Sequence, residues 1–490
     1  MKNYRIISSL FIIVLVALLT SPDATYAQDK ATEADLEALG VKLKAAIASG
    51  EMTEEEALAE YEKAAGKMKG AKTGKGKGKD EENWKAPAIN GLPCSPNVPA
   101  GVDPTEGVSF DLNRIVCIKV TMDPHDFDRL ASETRFDGAG NDFDQIWPDC
   151  SRPWPSAYNW YRADIEIDGV NLSEVGIRRK GFVGSQYSPV PALKIKTDKY
   201  VKGQFLGDTE RITLNNNGGI LPRMAACLTY EVFAAAGYPV PRCNIANVMI
   251  NGQPKGPYVH IEAIKKRFLR RAFGDNTGSL YEGTHTDFVE AWLPRWECKT
   301  SDTNTSYAPL ARVAQALQKP DDQLVDALSS VLNIDRYITF WALEALVNHL
   351  DGYSADRNNF YVYFDPTDAD RAVFIPWGAD KTFLSDFSLN RYLTADLPRR
   401  LSRIPAIATR MENELERLLN EVWDEAALLE RIDRYSAQVK SAEQADDYDI
   451  KVEALRTWVR SHPDQVREML HVGLPVGMEK SLPCTNERVK

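Results

Sequence analysis

Histidine is scarce in this sequence. There are six in 490 residues, and no two stand at the spacing of a metal-binding pair. No C-x-x-C occurs, so the cysteines support neither a zinc site nor a dithiol redox motif. No G-x-S-x-G occurs either, so the nucleophile elbow of the α/β-hydrolases has no basis. Long apolar runs are limited to one, Ile6 to Leu19, whose 14 residues are short for a membrane span. Positive charge is not in excess. A net charge of −11 argues against a general nucleic-acid binder, though not against a local basic groove for phosphate.

What is present is ordinary for a globular chain: 43 % hydrophobic and 26 % charged residues. Lys2 and Arg5 precede the apolar run, and small residues ending Thr25-Tyr26-Ala27 follow it. These are the three parts of a secretory signal peptide, with cleavage expected after Ala27 and an uncleaved anchor as the alternative. The expected product is secreted, periplasmic or held at the cell envelope, without a stable membrane span. Seven cysteines follow, and export permits disulfides while the odd number leaves at least one thiol unpaired. Cys227, within a helical pattern, reads as a small buried apolar residue.

Residues 28–66 read as a helical hairpin, with Thr53 and Glu56 forming a capping box. Residues 67–104 read as a linker. Its first part carries six lysines among glycines (Lys67 to Lys79) and cannot bury enough apolar surface to fold. The main domain spans 105–475, and 476–490 form a tail. Ile115–Val120 reads as a strand. Tyr161–Asp168 alternates apolar and polar residues, and Asp168-Gly169 turns it into Val175–Lys180. A second hairpin turns at Asn251-Gly252. Pro222–Ala236 is a helix whose apolar stripe contains Glu231, so that carboxylate requires a cationic partner. A lysine on the preceding strand, Lys194 or Lys196, is the natural candidate, with Arg223 as the local alternative.

The chemistry concentrates between His349 and Phe383. A helical pattern, Asn333 to Asn348, leads into a polar loop with Asp351, Asp356, Asn358 and Asn359. The run FYVYF, an Asp- and Pro-rich turn and AVFIPW follow, ending near Asp380. Helix, polar loop, hairpin and second carboxylate can place two acids and an amide around a metal-bound phosphate. His349 could orient the loop. Upstream, RRKGFVGSQ (Arg178–Gln186) is a turn whose free N–H groups suit an anion, although it is not G-x-G-x-x-G.

Taken in order, VGIRRKGFVGS, ALKIKTDKY, GQFLGDTERITLNNN, LPRMAACLTYEVFAAAGYPVPRCNIANVMINGQPKGPYVHIEAI, GSLYEG, DGYSADRNNFYVYFD and IPWGADKTF resemble the CotH kinase family of atypical secreted protein kinases. The resemblance implies an α+β, two-lobed protein-kinase-like fold with an antiparallel-sheet N-lobe and a mainly helical C-lobe. It implies ATP as donor, Mg2+ or Mn2+ as cofactor, and Ser or Thr of an exported or surface protein as acceptor. By position, Lys180, Gly181 and Ser185 would cover the phosphates. Lys194 or Lys196 would grip ATP with Glu231 as its partner, and Glu262 to Ile264 would form the hinge beside adenine. Asp351 would be the catalytic-loop acid, and Asn359 and Asp380 would hold the metal. The family commonly carries W-D-x-D-x-[ST]-F where this chain has Trp377-Gly378-Ala379-Asp380-Lys381-Thr382-Phe383. Gly378 therefore keeps a second expectation open, a pseudokinase-like surface binding protein, with calcium at Asp365–Asp370 as one variant. A glycosidase built on Asp351 and Asp380 is the third, and it leaves the strand lysines and Glu231 without a role.

Overall fold

The computed structural model describes residues 110–135, 149–154, 158–182, 188, 190–207, 209–216, 223–300, 306–441, 448–481 and 483–484. The chain divides into two compact units, Met1–Lys85 and Ala86–Lys490, and every described residue belongs to the second. The signal peptide, the helical hairpin, the Lys-rich tract and Ser185 lie outside the described residues.

Seven strands close into a barrel in the order β1-β2-β3-β4-β5-β7-β6. They are β1 (Ile115–Thr121), β2 (Tyr161–Ile167), β3 (Val170–Lys180), β4 (Ala192–Lys196), β5 (Arg211–Asn215), β6 (Cys243–Ile250) and β7 (Gln253–Glu262). The expected sheet is antiparallel. The observed one is closed by a parallel pairing of β1 with β6, Ile115 beside Ile245 through Val120 beside Ile250. Both hairpin turns form where the sequence places them. Asp168 and Gly169, and again Asn251 and Gly252, carry the two successive positive φ angles of a tight hairpin. Alternation then sorts the strands. Val175, Ile177, Leu193, Ile195, Ile212 and Leu214 fill the barrel, which leaves Arg178, Lys180, Lys194, Lys196 and Arg211 on its outer face.

Helix α1 (Pro124–Ser132) follows β1, capped by the Asp123 carboxylate. Helix α2 (Ala225–Ala235) precedes β6, and the disulfide Cys227–Cys243 ties the two together. Cys227 is thus not the free apolar residue that its helical position suggests, because the chain reverses and brings Cys243 against it. Cys150–Cys484 is a second bridge, Cys117 is also bonded, and Cys298 is the free thiol among the described residues.

Helix α3 (Lys266–Phe273) leads into β8 (Leu280–Gly283) and β9 (Glu297–Cys298). Helices α4 (Ala308–Leu317), α5 (Asp321–Ser329), α6 (Ile334–Leu346) and the single turn α7 (Tyr353–Asp356) come next. Strands β10 (Phe360–Asp365) and β11 (Arg371–Pro376) join β8 and β9 in a sheet of order β11-β10-β8-β9. Helices α8 (Asp396–Leu401), α9 (Pro405–Glu421), α10 (Glu425–Val439) and α11 (Tyr448–Val472) complete the chain. The expected helix from Asn333 is α6. Asn333 caps it through its side chain on the Arg336 N–H, and every residue from Phe340 to Leu346 is buried. A helix buried over its last seven residues makes a rigid base for the loop that follows it. Two of the three carboxylates of the Asp-rich turn are committed within it. Asp365 accepts from the Thr367 N–H, and Asp368 accepts from Asn333 and pairs with Arg371.

Candidate functional site

The loop after α6 is fixed from three sides. Leu350 N–H donates to the Lys381 carbonyl at 3.0 Å, and Phe383 N–H to the Val347 carbonyl at 2.8 Å. Beneath the loop, the buried Glu344 accepts from the Tyr353 and Ser354 N–H groups at 2.8 and 2.9 Å. A Cβ on Gly352 would fall 2.3 Å from Glu344 Oε1, so the residue after Asp351 has no room for a side chain. From below, Tyr353 donates its hydroxyl to Asp287 at 2.8 Å. The buried His349 lies 3.7 Å from Glu344. It faces the support beneath the loop, and burial drops its pKa to about 4.

This scaffold brings three of the expected residues together. Asn359 donates from Nδ2 to Asp351 Oδ2 at 2.7 Å. Lys381 stands 3.5 Å from Asp351 Oδ1. Burial alone would raise the Asp351 carboxyl, but Lys381, His285 and His349, with a hydrogen bond from Asn358, hold it below the ordinary aspartate range. Asp380 moves the other way. Burial and the neighbouring Asp351 charge push it up, against the pull of Lys381 and Lys180. A buried carboxylate raised by the charge of a second one, which an amide in turn holds, makes a site that a cation would relieve.

Lys180 belongs to this group, at the end of the strand that the sequence places over Val175–Lys180. It is the last residue of β3, donates to Asn215 Oδ1, and is brought down to about 8 by burial while Asp380 and Glu282 oppose the shift. Gly181 follows at φ +123°, and its carbonyl accepts from the Tyr158 hydroxyl at 3.1 Å. Lys194 stands opposite Arg178 in the β3–β4 register. Burial, with Lys299 adding to it, lowers Lys194 well below the ordinary lysine range, and Glu282 offsets part of that.

Two expected partnerships do not form. Glu231 does not meet a strand lysine. It accepts from Tyr435 at 2.6 Å and pairs with Arg431 at 2.9 Å and Arg434 at 3.2 Å, all on α10. Of the expected stripe on α2, Met224 and Leu228 are buried, Glu231 is half-buried and Ala235 is exposed, and α10, not β4, lies across from Glu231. Lys196 pairs instead with Asp198 at 3.5 Å. Glu262, expected beside adenine, is enclosed by Arg242 at 3.0 Å and Arg271 at 2.6 Å, so its side chain is committed to those two guanidinium groups. The carboxylate that does face the strand lysines is Glu282 on β8, which also pairs with Lys299. Sequence reasoning passed over it, although an acid within the short apolar stretch Leu280-Tyr281-Glu282-Gly283 was the available signal.

Glu231→Gln is therefore expected to cost roughly 1–3 kcal/mol of stability, since it leaves buried donors on α10 short of an acceptor. Urea unfolding checks it, and a midpoint equal to that of wild type would show that the α10 donors do not depend on Glu231.

The buried acids and histidines make stability depend on pH in opposite directions. Burial pushes Glu344 up from 4.5 to about 7. Folding then takes up a proton, so Glu344's contribution is full below pH 4.5 and is lost as pH rises to about 7. Burial drops His260 from 6.5 to about 3, and His462 from 6.5 to about 4. Their contribution is full above pH 6.5 and is lost as pH falls toward 4. Glu344→Gln removes a term that declines with pH. Its stability should climb more steeply than wild type between pH 4.5 and 7, as read from urea midpoints.

Loop acid, amide and second acid set against a strand lysine define a kinase-like arrangement. The model of the CotH kinase protein family matches residues 177–471, more than half of the chain, and the chain belongs to that family. Invasin CotH2 of Rhizopus delemar is 22% identical over 169 residues, which cover 31% of this chain and 28% of that protein. Invasin CotH3 of the same organism is 21% identical over 169 residues, with the same shares. The match spans less than a third of the length of these relatives. Among solved structures, the HipA, HipB and operator DNA complex of Shewanella oneidensis MR-1 aligns at TM-score 0.29 and 12% identity, covering 53% of this chain and 59% of that one. The Helicobacter pylori proinflammatory kinase CtkA aligns at TM-score 0.29 and 11% identity, covering 57% and 93%. No helix among the described residues is long and apolar enough to cross a membrane.

Proposed function

We propose that this chain is an exported, ATP-dependent protein kinase that transfers the γ-phosphoryl group to Ser or Thr of an exported or surface protein. The observation that carries the reading is the convergence of Asp351, Asn359 and Asp380, with Lys180 acting on Asp380 from the barrel. Export is supported by the amino-terminal pattern and by the disulfides Cys150–Cys484 and Cys227–Cys243.

The residues fit a divalent ion. Asp380 carries excess buried negative charge, and the donor set is oxygen alone, which suits Mg2+ or Mn2+ over softer metals. Asp380 and Asn359 Oδ1 would hold the ion, whose chemistry is to neutralise the donor phosphates. Asp351 accepts the proton of the acceptor hydroxyl as its oxygen bonds to the γ-phosphorus and the β–γ bridging bond breaks, leaving ADP. Lys180 binds donor phosphate from the end of β3, and Lys194 and Glu282 extend the polar wall beside it. Catalysis here is positioning and charge neutralisation, which a rigid loop over a buried helix favours.

Gly378 favours a second reading. It supplies no carboxylate, and a pseudokinase-like surface protein would bind nucleotide without transfer. Residues 28–490 with γ-labelled ATP and Mg2+ or Mn2+ separate the two. Label on protein Ser or Thr, lost in Asp351→Ala and in Asp380→Ala, supports the kinase. Nucleotide-dependent thermal stabilisation without label supports the pseudokinase, and neither response would sink both.

A further inference from the structure

We propose that Arg357 is a positioning residue of the transfer site, and that the carboxy-terminal segment, expected as a tail, is the strap that holds it. The inference rests on the kinase reading above.

The backbone between Asp351 and Asn359 enters the left-handed region twice at residues other than glycine. Arg357 has φ +52° and Asn359 has φ +49°. Asparagine tolerates that conformation, but arginine has no local means of stabilising it. Such a residue persists there only when its surroundings fix it. Arg357 ends α7, its N–H donating to the Tyr353 carbonyl at 2.8 Å, and its own carbonyl accepts from Thr286 N–H at 3.0 Å. Its buried side chain donates to the Pro483 carbonyl at 3.1 Å, with the guanidinium 5.3 Å from the Trp292 ring. The turn that delivers Asn359 is thus held from a segment more than 100 residues away in sequence.

That segment is itself fastened along its length. Gly477 N–H donates to Ser402 Oγ at 3.0 Å. The Met478 and Glu479 carbonyls each accept from Arg399 at 2.9 Å. Ser481 donates to Asp396 at 2.7 Å, and Cys484 is bonded to Cys150. A second path leads from the strap to the same turn. Asp396 N–H donates to Asp287 Oδ2 at 2.8 Å, and Asp287 Oδ1 accepts from the Tyr353 hydroxyl at 2.8 Å. The strap therefore meets α7 at both ends, directly at Arg357 and through Asp396 and Asp287 at Tyr353.

Releasing Arg357 from its left-handed conformation would redirect the chain just before Asn359. The Asn359 amide donates to Asp351 at 2.7 Å, and its Oδ1 is the oxygen assigned above to the ion. Loss of the hold should therefore weaken the ion's binding and slow transfer together, as loss of a group that orients a metal ligand from behind does.

The test compares residues 28–490 as wild type, Arg357→Met, Arg357→Lys and Tyr353→Phe. Mn2+ affinity is read by electron paramagnetic resonance with a non-hydrolysable ATP analogue, transfer by steady-state kinetics and folding by the urea midpoint. We expect Arg357→Met to bind Mn2+ roughly 10-fold more weakly and to lower kcat roughly 100-fold. Arg357→Lys, which keeps a donor for the Pro483 carbonyl, should recover most of both. Tyr353→Phe keeps the ring and cuts the second path, and should lower kcat about 10-fold. It carries the test if Arg357→Met does not fold. A merely structural arginine would lower the urea midpoint and leave Mn2+ affinity and kcat within about threefold of wild type. That result, or an unchanged kcat in both Arg357→Met and Tyr353→Phe, would overturn the proposal. Wild type that binds neither Mn2+ nor the analogue and transfers no phosphate would overturn the kinase reading itself, and the inference with it.

Discussion

Asp351→Asn is expected to lower kcat by about a thousandfold, a loss of about 4 kcal/mol of transition-state stabilisation. The substitution preserves shape and removes two things. One is the carboxylate that takes the acceptor proton. The other is the pair of acceptor oxygens, one receiving the Asn359 amide at 2.7 Å and the other beside the Lys381 ammonium at 3.5 Å. An asparagine must turn its own NH2 toward one of these two donors, so the pair Asn359–Lys381 loses its common acceptor. Because Lys180 and Asp380 are untouched, the KM for ATP should change only a few fold. Steady-state transfer to a generic protein acceptor measures both constants. Activity within tenfold of wild type would remove Asp351 from the role of base.

The second large effect concerns the bridge Cys150–Cys484, which closes 334 residues, against 16 for Cys227–Cys243. On the chain-entropy account, the long loop contributes roughly 6 kcal/mol and the short one about 3. The double variant Cys150→Ser/Cys484→Ser should therefore unfold at lower urea than Cys227→Ser/Cys243→Ser. It should also lose activity, because the bridge joins two segments that line the acid loop. Trp154 donates to the Thr284 carbonyl at 2.8 Å, beside His285, which acts on Asp351. Arg357, six residues past Asp351, donates to the Pro483 carbonyl at 3.1 Å. Equal urea midpoints for the two double variants would show that the long loop is already constrained in the unfolded chain.

Much of this was legible because it is local. Asn251-Gly252 and Asp168-Gly169 fix their hairpins by backbone preference, and Asn333 marks the start of α6 by its capping amide. The acid loop was legible for the same reason, since Asp351, Asn359 and Asp380 lie within one helix–loop–hairpin. What escaped depends on distant segments. Barrel closure pairs Ile115 with Ile245 in parallel, and parallel pairing leaves no turn signal between the partners. The Glu231 misassignment has a similar origin. Helical periodicity shows which face is buried, but not that α10, some 200 residues on, is what buries it.

A closed barrel has consequences for company as well as for catalysis. Each of its seven strands is hydrogen-bonded on both sides, so none offers an unpaired row of N–H and C=O groups. An extended peptide cannot lengthen this wall by lying alongside it, and two copies cannot zip together there. The four-stranded sheet does end in open margins, but one of them, β9, is only two residues long. On the kinase reading we propose, the acceptor protein is held by side chains and loops around Asp351 and not by extension of the barrel wall, a mode of capture that rewards local chemistry at the acceptor over a fixed backbone register.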